Sequence, residues 1–407
     1  MLIGIYVARC VSPEEFGDYV FVLALATLAS VALSLGLPAQ LIREVASDRA
    51  ITHSGFRRHA SQVVVFVPAV GCVGALASLF LGSQLFAVGF IFATASSYAG
   101  LGYSYFCGAS RVIYAGWINT VFRPLAVLLA TVGISFYSSD LGPTLVMFCQ
   151  ALGASLAVVL FLFGYKTLGK SSSRKLVELE DPSISRVTYL KAGITLMASQ
   201  LLINLTTQVD IFLLKFLSTA DAVAHFYAAS RASIVVAMFY GAAAMLIEPK
   251  VARLMASGER GQAQAAIRST TIAGALMTAS CGLFAWLIAP VYFELYGPTY
   301  VAGLSALSIQ VIGFTLASVA GPGQAVVRAL GGEVFLLKSL ILVLAINIGV
   351  SALLIPRYGP AGAAFGSSLQ FVSYGFIMSM YSAEKYGLST SLLTLVLPGR
   401  LNNRENA

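Results

Sequence analysis

Residues 143–191 read PTLVMFCQALGASLAVVLFLFGYKTLGKSSSRKLVELEDPSISRVTYLK. No Asp, Glu, Lys or Arg interrupts the run from Pro143 to Gly164, after which the chain turns abruptly to Lys166, Lys170, a serine triplet, Arg174 and Lys175. Wound as an α-helix at about 1.5 Å per residue, such a run covers the ~30 Å hydrocarbon core of a bilayer. A membrane barrel would instead alternate polar and apolar residues in segments of about ten, and this stretch does not alternate. The segment therefore reads as a transmembrane helix that opens into a basic loop.

Working outward, similar runs lie at 17–37, 62–81, 85–107, 112–136, 194–217, 223–247, 271–290, 301–327, 335–355 and 362–381, which makes eleven. Met1 to Ala8 reads as the tail of one further span, so that the first helix is truncated. The composition agrees: 58% hydrophobic, 10% charged, mean hydropathy +0.85. Soluble domains carry about 25% charged residues. The fold class is an all-α polytopic membrane protein embedded in a lipid bilayer.

The net charge of +8 raises nucleic acid as a partner, and the placement of the charges removes it. With the loop after 17–37 on the cytoplasmic side, twenty Lys and Arg fall in cytoplasmic loops and only Arg9 and Arg357 outside. That asymmetry is the positive-inside bias of a cytoplasmic-membrane protein, and it puts the C-terminus in the cytoplasm. A single miscounted span would destroy it. The outer loops are short, the longest being Val291 to Tyr300, so no outer domain is available for chemistry.

The basic, Ser-rich stretch that follows Gly164 divides the chain. The expected organisation is an N-terminal lobe at 1–165, a cytoplasmic linker at 166–191, a C-terminal lobe at 192–388 and a cytoplasmic tail at 389–407. The lobes echo each other: Arg9-Cys-Val-Ser12 before Phe16-Gly17 in the first, Lys215-Phe-Leu-Ser218 before Val223-Ala224 in the second. Both stretches run in the same direction, as in the parallel repeats of transporters. Six spans per lobe is the implied design.

Charges inside the hydrocarbon are expensive, at about 2.5–3.5 kcal/mol or more each, and face cavities or partners. Arg123, followed by Pro124, lies mid-span, where the proline should kink the helix and free carbonyls. Asp210 and Arg231 lie at matching depth on consecutive spans. Two readings fit them: lining of a water-filled cavity, or an ion pair locking two helices. Lys215 is close enough to the outer edge either to snorkel or to face the cavity. Gln200 and Asn204 are suited to sugar hydroxyls and equally to interhelical hydrogen bonds. Three cations against one carboxylate favour an anionic passenger, above all a phosphate, which Arg binds as a fork.

No G-x-S-x-G, Walker A, H-E-x-x-H or Rossmann glycine fingerprint occurs, the three histidines lack metal-ligand spacing, and no CxxC pair exists. The chain reads as a non-enzyme with no cofactor, driven by an ion or substrate gradient rather than by nucleotide.

The order of several stretches carries a resemblance. They are Arg9-Cys-Val-Ser-Pro-Glu-Glu-Phe-Gly-Asp-Tyr19, Leu41-Ile-Arg-Glu44, Gln208-Val-Asp-Ile-Phe-Leu-Leu-Lys-Phe-Leu217, Tyr227-x-x-Ser-Arg231, Glu248-Pro-Lys250 and Leu354-Ile-Pro-Arg-Tyr-Gly-Pro-Ala-Gly-Ala-Ala364. In sequence and spacing the chain resembles the polysaccharide-biosynthesis flippases (Wzx type) of the multidrug/oligosaccharidyl-lipid/polysaccharide exporter superfamily. The resemblance implies two six-helix lobes around a central cavity. It also implies an oligosaccharide on undecaprenyl pyrophosphate as cargo, for O-antigen, lipopolysaccharide or exopolysaccharide assembly. A polysaccharide polymerase and glycosyltransferases are its implied partners, and Asp210 and Arg231 its cavity positions. A drug or organic-cation extruder of the same superfamily is the rival, as is a membrane-embedded polymerase or ligase. The first would prefer an acidic cavity, and the second needs a sizeable outer loop.

Overall fold

The computed structural model describes residues 2–46, 54–137, 142–168 and 186–393, and these residues form helices and turns with no strand. The helices are α1 (Leu2–Cys10), α2 (Pro13–Leu33), α3 (Leu37–Ala46), α4 (Ser54–Phe80), α5 (Gln84–Gly108), α6 (Val112–Gly116), α7 (Arg123–Ser135), α8 (Pro143–Leu168), α9 (Arg186–Leu217), α10 (Ala220–Ala256), α11 (Arg260–Tyr296), α12 (Leu304–Val319), α13 (Gly323–Ala329), α14 (Glu333–Tyr358) and α15 (Pro360–Tyr386). A π-helical turn, Trp117–Phe122, joins α6 to α7, and a 3-10 turn, Pro298–Gly303, precedes α12. Ten helical segments among the described residues are long and apolar enough to cross a membrane. The chain is a multi-pass membrane protein. α15, at 27 residues, has the length of the eleventh expected span. Its hydropathy is lowered by the small and polar residues it buries, among them Gly362, Ser367, Ser368 and Gln370.

Two compact units divide the chain, Leu2–Gln208 and Val209 onward, so α9 contributes to both. Of the expected linker, residues 169–185 lie outside the described residues, as do 394–407 of the expected tail.

In the first unit α5 is the central helix, packed on α2, α3, α4 and α8. Without a hydrophobic drive between helices in lipid, close approach of small residues and interhelical hydrogen bonds hold such an interface. Gly89 lies against Val22, Gly102 against the Phe161 ring, and Gln150 on α8 donates to the Tyr19 hydroxyl on α2 at 2.8 Å. The start of α2 is fixed locally. Ser12 accepts from the Glu15 amide while the Glu15 carboxylate accepts from the Ser12 amide, a capping box ahead of Pro13. Ser12→Ala is expected to lower stability by about 1 kcal/mol, read as an earlier thermal midpoint of purified protein. An unchanged midpoint would show that packing alone fixes this helix end. Between α2 and α3 the helix is interrupted by two left-handed residues, Leu35 (φ 45°) and Gly36 (φ 72°), and α3 continues along α5 in the same sense as α2. A side chain at Gly36 would overlap the carbonyl of Gly193, which the α9 helix presents to it.

In the second unit α10 packs on α11, α11 on α12, and α15 on both α12 and α14. α15 approaches α14 closely at Gly362 and Gly366. A Cβ at Gly362 would stand 2.6 Å from the Leu354 carbonyl carbon, and one at Gly366 would overlap the Ser351 hydroxyl.

Candidate functional site

Asp210 sits on a buried stripe of α9, flanked one turn away by Thr206 and Leu214, and is itself 3% exposed. It meets two residues of α14 that share a helix face at i and i+4, Asn347 and Ser351. Ser351 Oγ lies 3.4 Å from Asp210 Oδ1 and 2.8 Å from Asn347 Oδ1. Asn347 Nδ2 in turn donates to Gln370 Oε1 on α15 at 2.9 Å. Asn347 and Ser351 are fully buried. Gly366 makes the arrangement possible, because any larger residue there would enter the space of Ser351 and Asn347. These groups lie about 10–15 Å along the helix axes from the ends at Leu217, Tyr358 and Pro360, within the apolar length of the spans.

The hydrogen-bond inventory leaves Ser351 a choice of acceptor. A serine hydroxyl has one proton, and two acceptors face the one on Ser351. When Asp210 carries its own proton, Ser351 donates to Asn347. When Asp210 is ionised, Ser351 is free to turn and donate to it. The choice of acceptor for the Ser351 proton is thus between α9 and its own helix α14.

The structure gives Asp210 these partners, and Arg231, with which an ion pair was one of two readings, stands elsewhere. Arg231, on α10, stands over the Tyr227 ring at 4.4 Å in a cation–π contact. Tyr292 and Tyr296 of α11 lie within its electrostatic reach, with the Tyr292 hydroxyl donating to the Ala228 carbonyl at 2.9 Å. An aromatic ladder continues through Tyr296 and Tyr300 to the edge of His225. Arg231 is half-buried, its guanidinium packed against these rings with Nε away from solvent.

Arg123 belongs to the first unit. Its guanidinium donates to Ser96 Oγ at 2.8 Å and lies 5.4 Å from the Phe92 ring centre, both on α5. The expected disturbance at Pro124 takes the form of the π-helical turn 117–122 immediately before it. Pro124 has no N–H for the Thr120 carbonyl, and a wider turn relieves the ring's clash with it. Lys215 occupies the last turn of α9, where its charge complements the helix dipole. Gln200 is exposed, and Asn204 donates to the Gln200 carbonyl of its own helix at 2.9 Å.

The structure thus joins Asp210 to three residues that sequence reasoning passed over: Asn347, Ser351 and Gln370. The signal was available in the i, i+4 spacing of Asn347 and Ser351 inside an apolar run.

The family described as "Polysaccharide biosynthesis protein" matches residues 1–255. The chain belongs to this family. Among solved structures, a multidrug resistance MATE family transporter of the MOP superfamily, in an inward-facing conformation, aligns with TM-score 0.74 at 14% identity, over 95% of this chain and 93% of that one. The lipid II flippase MurJ, inward closed, aligns with TM-score 0.69 at 13% identity, over 94% and 85%. A MOP superfamily transporter from Pyrococcus furiosus aligns with TM-score 0.60 at 17% identity, over 95% and 90%. At these identities the likeness is one of fold. Comparison with curated proteins gives no match. The match to the polysaccharide biosynthesis family spans both the first unit and α9 and α10 with Asp210 and Arg231, while α14 and α15 lie beyond it.

Proposed function

We propose that this member of the polysaccharide biosynthesis family is a flippase for lipid-linked oligosaccharide. Its cargo would be a repeat unit on undecaprenyl pyrophosphate, moved across the cytoplasmic membrane by alternating access. The observation that carries this reading is the set of charges within the spans, Arg123, Arg231 and Lys215 against Asp210. Net positive charge in a low-dielectric environment suits a pyrophosphate and repels the organic cations that an extruder would take. Arg231, whose guanidinium stands over Tyr227, is the residue of the second unit assigned to the phosphate. The Asp210 network supplies a proton-responsive element, by which an ion gradient drives the cycle. Transfer of the glycan onward would fall to a polymerase, and its assembly to glycosyltransferases, on the two sides of the same membrane.

The test is complementation. Expressed in a flippase-null strain matched for repeat-unit type, the chain is expected to restore surface glycan. Arg231→Ala and Arg123→Ala, at equal expression, are expected to reduce it at least tenfold, since a charge-assisted fork to phosphate contributes about 1.5–3 kcal/mol. No restoration by well-expressed protein in several matched strains would favour the extruder. Full activity in both variants would remove the basic residues from the mechanism.

A further inference from the structure

α5 ends in a left-handed turn. The Arg111 amide reaches back to the Phe106 carbonyl at 2.8 Å and the Ser110 amide to the Cys107 carbonyl at 3.1 Å. This is a Schellman-type closure, in which the left-handed position is normally glycine. Here Ser110 takes it, with φ 61°, at a conformational cost of about 1 kcal/mol. The turn delivers Arg111 to the mouth of a cavity of about 650 Å3, lined by Ser110, Arg111, Ile113, Tyr114 and Trp117. No carboxylate lines it. Behind Arg111, Tyr105 of α5 packs edge-on against Tyr165 of α8 at 5.2 Å, and Tyr105 feels the Arg111 charge. Tyr114 is pinned by its hydroxyl to the Leu160 carbonyl at 3.0 Å. Its ring abuts Gly164, two residues before the exposed Lys166. The outer wall is apolar and open: Ile113 is 89% exposed and Trp117, one of two tryptophans in the chain, 56%.

A cationic fork, a tyrosine pair and exposed Ile and Trp side chains at one end of membrane-spanning helices match the two halves of a phospholipid at the bilayer surface. Arg binds phosphate bidentately, Trp sits at headgroup depth, and an exposed aliphatic side chain meets acyl chain. We infer that this cavity is a binding site for the phosphate of one anionic bilayer phospholipid, distinct from the transport charges Arg123 and Arg231. The charge complementarity selects an anionic headgroup. The apolar outer wall selects a lipid over a soluble anion, which would leave Ile113 and Trp117 in water.

The test does not depend on transport, so it fails or succeeds separately from the proposed cargo. Full-length protein purified in detergent is given phosphatidylglycerol, phosphatidylcholine or inorganic phosphate. Retained lipid is counted by native mass spectrometry, and heat resistance is followed in parallel. Wild-type protein is expected to retain phosphatidylglycerol over phosphatidylcholine and to gain heat resistance from it. Arg111→Gln should weaken retention about tenfold, and Arg111→Lys less, because an ammonium keeps the charge without the fork. Trp117→Ala should weaken retention of both lipids. Equal retention by wild type, Arg111→Gln and Arg111→Lys would overturn the site. Competition by millimolar inorganic phosphate would overturn the lipid assignment.

Discussion

Asp210→Asn is expected to fold, insert and accumulate like the wild type, yet to lose at least nine-tenths of glycan translocation, whereas Asp210→Leu should lose both transport and stability. The difference follows from the network around the carboxyl group. Asparagine has nearly the same shape and keeps an oxygen for Ser351 and Asn347, so the packing of α9 against α14 survives. What it cannot do is gain or release a proton, which is the event that switches the Ser351 hydroxyl between its two acceptors. Leucine removes the acceptor, leaving a buried Asn347 amide donor short of a partner and overfilling a closely packed site. Unpaired buried polar groups cost about 1–3 kcal/mol each. Translocation of a lipid-linked oligosaccharide, scored as surface glycan at matched membrane abundance, separates the two variants. Wild-type transport in Asp210→Asn would mean that the carboxyl group is structural and that coupling resides elsewhere. A similar loss of folding in both variants would mean that the network is needed only for assembly.

The spans are legible in the sequence because each rests on a local property, the length and apolarity of a run, and the ten qualifying helices fall on expected runs. Arg123, Asp210 and Arg231 were equally visible, since a charge within such a run has no other reading than function or pairing. Their partners were not. Matching depth left an Asp210–Arg231 pair open beside cavity lining, since depth says nothing of which way a side chain points around its helix. Asp210 faces α14, and Arg231 faces the tyrosines of α11. Asn347, Ser351 and Gln370 drew no notice because single polar residues in a span also serve as ordinary interhelical hydrogen bonds. Only the convergence of three helices sets them apart. The helix break at Pro124 could be foreseen, but its form as a π-turn depends on how α7 is held against α8, where Gly153 approaches the Arg123 carbonyl.

A large loss of stability is expected from substitution at Gly321. α12 ends at Val319 and α13 starts at Gly323, and between them Gly321 adopts φ 73°. Against this break packs the segment that follows α15, with Thr390 fully buried and Ser391 nearly so. It is stitched in place from several sides. Gln264 on α11 both accepts from the Ser389 amide at 2.9 Å and donates to its carbonyl at 2.7 Å. Thr271 donates to the Thr390 carbonyl at 3.1 Å, and the Thr390 hydroxyl donates to the Ala320 carbonyl at 3.0 Å. A methyl group on Gly321 would overlap that same Thr390 carbonyl and stand 2.9 Å from the Thr271 hydroxyl. Both a left-handed backbone and a backbone collision oppose it, and neither is relieved by rotating a side chain. Gly321→Ala is therefore expected to destabilise the protein by about 3 kcal/mol. Thr390→Val keeps shape and loses one hydrogen bond, for about 1 kcal/mol. Measured as heat resistance of purified protein in one detergent, the order wild type, Thr390→Val, Gly321→Ala is expected. If Gly321→Ala matched the wild type, the segment around Thr390 would have to swing free of α12 without penalty, and its hydrogen bonds would hold nothing together.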